Sequence, residues 1–140
     1  MSDKFFLDTN IIVYSFDDSE PTKQNTARNL IRNALLNHNG CISYQVIQEF
    51  FNVATRKFKI PLSTQDSHLY LNNVLSPLCG IFPTVDFYSQ ALLVVQKLKY
   101  SFYDSLIISA AQQAKCATLF TEDMHHGQVI DNLTLINPFL

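Results

Sequence analysis

The stretch Phe5–Asp18, "FFLDTNIIVYSFDD", places a carboxylate directly after a run of apolar residues. Phe5–Leu7 form that run, and Asp8 follows before the chain becomes apolar again. A short run of this kind is typical of a strand buried on both faces, as in a parallel sheet. An ionised carboxylate is costly to remove from water unless a helix N-terminus, a basic partner or a metal ion stabilises it. The first question raised by the sequence is therefore what Asp8 contacts.

The composition predicts one folded domain spanning residues 1–140. With 140 residues, of which 47% are hydrophobic, the chain can fill a sizeable core. Only 3 glycines and 5 prolines are present, which argues against a disordered or fibrous chain. The net charge of −2 gives no overall attraction for nucleic acid, so such a partner needs a local basic patch or bound cations.

The cysteines and the N-terminus predict a soluble cytoplasmic protein. Cys41, Cys79 and Cys116 are widely spaced and include no CxxC pair, so they are predicted to be buried free thiols in a reducing compartment. The start of the chain does not resemble a secretory signal. No apolar run approaches the roughly 18 residues that span a bilayer, which predicts no association with a membrane.

The hydrophobic periodicity predicts strands that alternate with helices. The predicted strands are Lys4–Leu7, Cys41–Ser43, Gly80–Val85, Ala117–Thr121 and Leu133–Ile136. The predicted helices are Ile11–Phe16, Pro21–Asn37, Tyr44–Lys57, 64–75, Phe87–Lys99 with Asp86 as its N-cap, and Tyr103–Lys115. This alternation indicates an α/β fold with a mainly parallel sheet, in which ligands bind outside the carboxyl ends of the strands.

Four acidic residues occupy positions that point towards one edge of this sheet. Asp8 and Asp123 each follow a predicted strand, so parallel strands bring both to the same edge. Asp104 opens a helix and shares the inward face of its apolar residues. Glu49 lies at the border of the apolar stripe of its helix and can reach inward at a rim.

Each of these acids also has a simpler interpretation. Asp8 and Asp104 are good helix caps, Asp123 suits a turn, and Glu49 can form an ion pair with Arg56 or another base. Together, however, converging carboxylates repel one another and raise their pKa values. A divalent cation relieves this repulsion, and oxygen ligands without histidine or cysteine suit Mg²⁺ or Mn²⁺ better than zinc.

Four motifs then resemble those of the PIN-domain ribonucleases, and most of all the VapC-like toxins of bacterial toxin–antitoxin pairs. They are "FLDTNIIVY", "SYQVIQEFFNVATRK", "FYDSLIISAA" and "LFTEDMHHG…INPF", which cover essentially the whole chain in the family's order. The resemblance implies a PIN-like three-layer fold, whose central, mainly parallel twisted sheet is flanked by helices. It also implies Mg²⁺ or Mn²⁺ dependence, cleavage of single-stranded RNA, frequent homodimers and inhibition by a cognate antitoxin.

By resemblance, the family's catalytic acidic quartet falls on Asp8, Glu49, Asp104 and Asp123. The resulting hypothesis is metal-assisted hydrolysis of a phosphodiester. Asp8 and Asp104 are expected to be the principal metal ligands, directly or through water. Glu49 and Asp123 are expected to complete the acidic pocket or to hold metal-bound water.

Five further residues are assigned supporting roles. Thr9, Asn10 and Thr121 are predicted to orient the carboxylates, although turn and cap hydrogen bonds explain these residue types equally well. Arg56 and Lys57 belong to the basic cluster "RKFK" and can contact the RNA backbone. Basic residues at a helix C-terminus also complement its macrodipole, which is the simpler interpretation of that pair.

Three other polar features are predicted to lie outside the site. Glu122 should point away from its neighbour Asp123. His125-His126 is predicted to form a solvated turn. Asp17-Asp18 is predicted to lie in a solvated loop.

Several rival functions share parts of this pattern. A module with the same fold but little catalysis, acting through bound RNA or a protein partner, is the main alternative. A receiver-type aspartyl-phosphate protein is disfavoured because "ATLFTED" contains no lysine, and a phosphatase because Asp8-Thr9-Asn10 lacks a second aspartate.

Overall fold

The computed structural model describes residues 3–140 and contains a central sheet. Within these residues the sheet has six strands in the order β3-β2-β1-β4-β6-β5. All neighbouring strands are parallel except β5, which runs antiparallel to β6. The mainly parallel sheet predicted from the sequence is confirmed. The strands are β1 Phe5–Leu7, β2 Gly40–Ser43, β3 Cys79–Ile81, β4 Thr118–Phe120, β5 Val129–Ile130 and β6 Leu133–Ile136.

Helices flank the sheet, which confirms the predicted α/β architecture. They are α1 Thr9–Tyr14, α2 Pro21–Asn37, α3 Tyr44–Ala54, α4 Thr64–Tyr70, α5 Ser76–Leu78, α6 Val85–Leu98 and α7 Phe102–Gln113, with a π-helical turn at Leu71–Leu75 between α4 and α5. Helix α1 packs against α2 and α3, and α6 packs against α7. None of the helices in residues 3–140 is both long and apolar enough to cross a membrane.

The apolar run at the start of the chain forms the middle of the sheet. β1 pairs with β2 on one side and with β4 on the other, and Phe6 and Leu7 are fully buried. The backbone N–H of Asp8 continues the pairing by donating to the Phe120 carbonyl at 3.0 Å. Because β1 and β4 are adjacent and parallel, Asp8 and the loop that follows Phe120 meet at the same edge of the sheet.

An aromatic cluster supports the helix that carries Glu49. The Phe50 ring lies 5.5 Å from Phe16, 5.3 Å from Tyr70 and 6.1 Å from Phe58, measured between ring centroids. Phe50 is fully buried, and its interactions tie α3 to three other segments of the chain. Such aromatic pairs add stabilisation beyond their buried area.

Several predicted boundaries are wrong because tertiary contacts and capping decide them. Helix α3 ends at Ala54 rather than Lys57, because the N–H groups of residues 56–58 all converge on the Val53 carbonyl instead of continuing to successive carbonyls. The Ala54 carbonyl accepts from the Leu62 N–H at 3.0 Å. Asp86 is not the N-cap of α6. Thr84 has that role, because its hydroxyl accepts from the Phe87 N–H at 3.1 Å, and Asp86 lies in the first turn.

Two further differences concern the segments around β3. The helix predicted at 64–75 continues to Leu78, because Pro77 lies at the start of the α-helical segment that follows the π turn, where its missing N–H is tolerated. The strand predicted at Gly80–Val85 is Cys79–Ile81. Short β5 was not predicted.

Cys41 and Cys116 are buried free thiols as predicted, whereas Cys79 is only partly buried.

Candidate active site

All four predicted acids line one cavity of about 560 Å³ at the carboxyl edge of the sheet. Asp8 is the N-cap of α1, and Glu49 lies in the middle of α3. Asp104 is in the first turn of α7, and Asp123 follows β4. Residues that are 115 positions apart in the chain therefore face one space. Their convergence, predicted from separate local patterns, is a feature of the tertiary structure.

Asp8 is both a helix cap and a buried wall of this cavity. Its Oδ1 accepts from the Thr9 N–H at 2.7 Å, and its Oδ2 accepts from the Thr121 hydroxyl at 2.8 Å. Only 6% of Asp8 is exposed. Burial raises the pKa of Asp8 to about 7, and the charges of Glu49 and Asp123 raise it further while the two hydrogen bonds oppose the change. The cap and the cavity wall are therefore compatible roles for one residue.

Glu49 is held by two neighbouring donors. Its Oε1 accepts from the Thr9 hydroxyl at 2.6 Å, and its Oε2 accepts from Gln45 Nε2 at 3.4 Å. The same Gln45 nitrogen donates to the Tyr103 carbonyl at 3.2 Å, which links α3 to the start of α7. The alternative prediction, an ion pair between Glu49 and Arg56, is not found among the salt bridges of residues 3–140.

Asp123 is positioned by the other two predicted supporting residues. Asn10 Nδ2 donates to Asp123 Oδ2 at 2.9 Å, and the Asp123 N–H donates to the Thr121 hydroxyl at 3.2 Å. Thr121 is fully buried and also donates to Asp8, so one hydroxyl couples two of the acids. The hydrogen bonds of Thr9, Asn10 and Thr121 therefore all reach the acidic residues.

Asp104 lies in the first turn of α7 but does not cap it. Ser101 is the N-cap, and its hydroxyl accepts from the Asp104 N–H at 3.1 Å. The Asp104 side chain is partly buried, and this burial raises its pKa. The nearby charges of Asp123 and Glu49 act in the same direction. The cap that sequence reasoning allowed for Asp104 thus falls on another residue, and its carboxyl group lines the cavity.

Glu122 was predicted to lie outside the site, but it lines the same cavity. It accepts from Lys23 Nζ and from the Tyr14 hydroxyl, each at 2.7 Å. Partial burial opposes ionisation, but Lys23 and Tyr14 prevail and hold the pKa of Glu122 below its usual value. Lys23 also lies 4.8 Å from the centroid of the Tyr14 ring. No local pattern reveals this cluster, because its members come from distant parts of the chain.

Other cavity residues were also missed. Asp17, predicted to be part of a solvated loop, lines the outer part of the cavity, whereas Asp18 does not. Asn52 lies one helical turn after Glu49 and shares its face, so that spacing was the available signal. Gln45 and Tyr103 also line this cavity.

The predicted RNA-binding pair is placed away from the cavity wall. Arg56 and Lys57 are exposed and follow the end of α3, and neither lines the acidic cavity. His125 and His126 are exposed, as predicted for a turn, and they line a neighbouring cavity. The exposed His126 side chain has one hydrogen-bond partner, because its Nδ1 accepts from the Asn137 N–H at 2.9 Å.

The donor set of the cavity fits a hard divalent cation that keeps part of its water shell. Within residues 3–140, no three histidine, cysteine or acidic side chains are close enough to hold an ion by themselves. Mg²⁺ is usually bound through one or two carboxylates together with water and substrate oxygens, so it needs no closed cage. Burial, and to a smaller extent the neighbouring acids, raise the pKa of Asp8 and of Asp104, and a bound cation would favour the ionised form of both carboxyl groups.

Solved structures with a similar fold include a toxin–antitoxin complex and a toxin. A toxin–antitoxin complex from Klebsiella pneumoniae has a TM-score of 0.69 at 18% identity, covering 96% of this chain and 98% of that one. VapBC2 from Rickettsia felis, bound to a promoter DNA fragment, has a TM-score of 0.62 at 23% identity, covering 94% and 96%. The sarcin–ricin loop cleaving toxin VapC20 from Mycobacterium tuberculosis has a TM-score of 0.59 at 16% identity, covering 86% and 90%.

Sequence comparison identifies the family. No curated protein matches the chain in sequence. The family model of the PIN domain, however, matches residues 5–130, which include all four acids and the whole of β1 to β4. The chain therefore belongs to the PIN-domain family.

Proposed function

We propose that this protein is a metal-dependent endoribonuclease that hydrolyses phosphodiester bonds of single-stranded RNA. The observation that supports this most is the convergence of Asp8, Glu49, Asp104 and Asp123 on one cavity. Membership of the PIN-domain family supports the same reaction class. Burial raises the pKa of Asp8 and of Asp104, and the neighbouring carboxylates add to this effect at a wall where none of the described residues is a lysine or arginine.

In this proposal, the acidic residues of the cavity hold the metal ion and two threonines orient the acidic residues. Asp8 and Asp104 would hold a Mg²⁺ or Mn²⁺ ion, and Glu49 and Asp123 would complete the pocket or hold its water. A divalent cation bound there lowers the pKa of an attacking water and polarises the phosphoryl oxygen. The single hydroxyl of Thr121 links the Asp8 carboxylate, to which it donates, with the backbone N–H of Asp123, from which it accepts. Thr9 links Asp8 with Glu49, donating from its N–H and its hydroxyl respectively.

We also propose that the protein is the toxin of a toxin–antitoxin module and acts in the cytoplasm. Its similarity in fold to toxins found with antitoxins supports a cognate antitoxin as a partner. A homodimer is supported by the apolar outer face of α6, where Val85, Leu92 and Leu93 are exposed. Exposed apolar patches of this kind mark protein–protein contacts. Overall charge gives no support for tight unaided RNA binding, so bound cations are part of the proposal.

The test compares RNA cleavage by matched variants. Single-stranded RNA is incubated with the parent, Asp8→Asn and Asp104→Asn in Mn²⁺, in Mg²⁺ and in excess EDTA. The parent should cleave only with metal, and each variant should lose at least about 100-fold in rate, since each removes a carboxylate at the reacting centre. Asp86→Asn is the matched control, because Asp86 is exposed in the first turn of α6 and lies outside the cavity.

The same experiment distinguishes a ribonuclease from the main alternative, a binding module with little catalysis. Cleavage that is unaffected by both substitutions would exclude this cavity as the active site. Metal-dependent binding of RNA with no cleavage by the parent would instead identify a binding module with little catalysis.

A further inference from the structure

A second cavity adjoins the acidic one and has a different chemical character. It has a volume of about 750 Å³ and lies between the end of α6 and the loop that follows β4. Asp123 lines both cavities, so the two spaces meet at that residue. We call this second space the lysine–histidine groove; its lining residues are Leu98, Lys99, Tyr100, Asp123, Met124, His125, His126, Gly127 and Gln128.

The groove provides a positive charge that the acidic cavity lacks. Among the described residues that line the two cavities, Lys99 is the only lysine or arginine. Its side chain is exposed, as are those of His125 and His126. Lys23 contacts a residue of the acidic cavity, Glu122, but it is bound to that carboxylate at 2.7 Å and so is already neutralised. A polyanion that enters the acidic cavity therefore meets a cationic side chain only when it continues past Asp123.

Hydrogen bonds hold the wall of the groove in place. The Tyr100 hydroxyl donates to Gln128 Oε1 at 2.5 Å and accepts from the His125 N–H at 3.2 Å. The Gly127 N–H donates to the Leu135 carbonyl at 2.7 Å, which fastens the loop to β6. The wall is thus tied at both ends, to the segment after α6 and to the sheet. A groove that is built in this way loses little entropy when a ligand binds.

His126 presents a hydrogen-bond donor to this groove. Its Nδ1 accepts from the Asn137 N–H at 2.9 Å, so the neutral ring carries its hydrogen on Nε2. An Nε2–H group and the Lys99 ammonium are both donors, and phosphate oxygens are strong acceptors. Two such donors on the wall of one groove suit a phosphodiester backbone better than they suit a neutral ligand.

We propose that the lysine–histidine groove binds the RNA backbone on one side of the scissile bond, with Lys99 and His126 contacting a flanking phosphate. The proposal rests on the proposed ribonuclease function and adds the path that the strand takes out of the acidic cavity. Channels for single strands combine positive charge along the backbone with an adjacent aromatic wall, and Tyr100 supplies the latter. The assignment moves RNA contact from Arg56 and Lys57, which do not line either cavity, to residues beside Asp123.

The test measures binding and cleavage with two lengths of RNA. Lys99→Asn removes the charge without threatening the fold, because Lys99 has a φ of 65° and asparagine adopts this left-handed conformation readily. Lys97→Gln is the matched control, since Lys97 is exposed at the end of the same helix but does not line the groove. Binding of a fluorescent single-stranded RNA is followed by anisotropy in Ca²⁺, at several salt concentrations. Cleavage of the same RNA and of a dinucleotide is followed in Mn²⁺.

Lys99→Asn should weaken binding of the longer RNA about fivefold and reduce the slope of log affinity against log salt by about 0.7, the value for one contact to a single strand. Adding His126→Gln should weaken it further. Cleavage of the dinucleotide should be unchanged, and Lys97→Gln should behave as the parent does. Parent-like affinity and salt slope in the double variant would overturn the groove assignment. That result leaves the ribonuclease proposal standing if Asp8→Asn still abolishes cleavage.

Discussion

Replacing Asp8 by asparagine should make the metal-free protein more stable at neutral pH. The substitution keeps the size of the side chain and an oxygen that can accept from the Thr9 N–H. It removes a carboxylate that is almost completely buried beside Glu49 and Asp123. Active sites commonly lower the stability of the fold in this way, because a charged group that catalysis requires is less stable when buried than a neutral one.

The magnitude follows from the pKa of Asp8, which burial raises from 3.8 to about 7. The folded protein therefore binds a proton on Asp8 more tightly than the unfolded chain does. The stabilisation from neutral Asp8 is fully present below about pH 4 and is lost as the pH rises through 7. The full difference corresponds to about 4 kcal/mol, and about 3 kcal/mol of it is lost between pH 5 and pH 8. Since the amide replaces a charge-assisted hydrogen bond by a weaker one, we expect a net gain of about 2 kcal/mol at pH 8.

The assay is urea unfolding in EDTA at pH 5 and pH 8, for the parent, Asp8→Asn and the control Asp86→Asn. The difference between Asp8→Asn and the parent should be larger at pH 8 than at pH 5. Asp86 is exposed, so its variant should stay within about 0.5 kcal/mol of the parent at both values. Adding Mn²⁺ should stabilise the parent more than Asp8→Asn. If Asp8→Asn is no more stable than the parent at pH 8, the account of a strained, unneutralised carboxylate is wrong.

Three other predictions concern the site, its support and the outer face. Thr121→Val should lower metal-dependent RNA cleavage by about 10- to 100-fold, because its hydroxyl bridges Asp8 and Asp123; parent-like activity and Mn²⁺ affinity would exclude that role. Phe50→Ala should cost about 3–5 kcal/mol in urea unfolding, since it empties the centre of the aromatic cluster; a loss below about 1 kcal/mol would contradict the packing described for it. The double change Leu92→Glu and Leu93→Glu should convert a dimer to a monomer in light scattering without altering the circular dichroism spectrum; an unchanged mass would place any interface elsewhere.

Local sequence patterns were sufficient to predict most of the strands and helices. The apolar run Phe5–Leu7 predicted a buried parallel strand, and it pairs on both sides in the middle of the sheet. Helix α2 begins and ends as predicted, at Pro21 and Asn37, because proline favours a first turn. Its end, however, is set by His38, which adopts the left-handed conformation with a φ of 55°, and not by the predicted Asn39-Gly40. Helix α3 shows the limit of such patterns, since its predicted end at Lys57 is three residues too late.

The same patterns could not predict contacts between segments that are distant in the sequence. Glu49 is bound by Thr9, 40 residues away, and Glu122 by Lys23, 99 residues away. The groove beside Asp123 likewise depends on Tyr100 meeting the loop at His125. These bonds form only after the sheet has brought the chain segments together, so no spacing along the sequence encodes them.

The sequence by itself therefore determined which residues end strands and which faces of helices are apolar, because burial imposes periods of two and 3.6 residues on neighbouring positions. It placed Asp8 at the end of a buried strand and offered three reasons for its being there. Only the tertiary structure showed that Asp8 caps a helix and that the same residue lines a cavity with three other acids. The physical reason is that the energy of a buried carboxylate depends on every charge and donor around it, and most of these come from elsewhere in the chain.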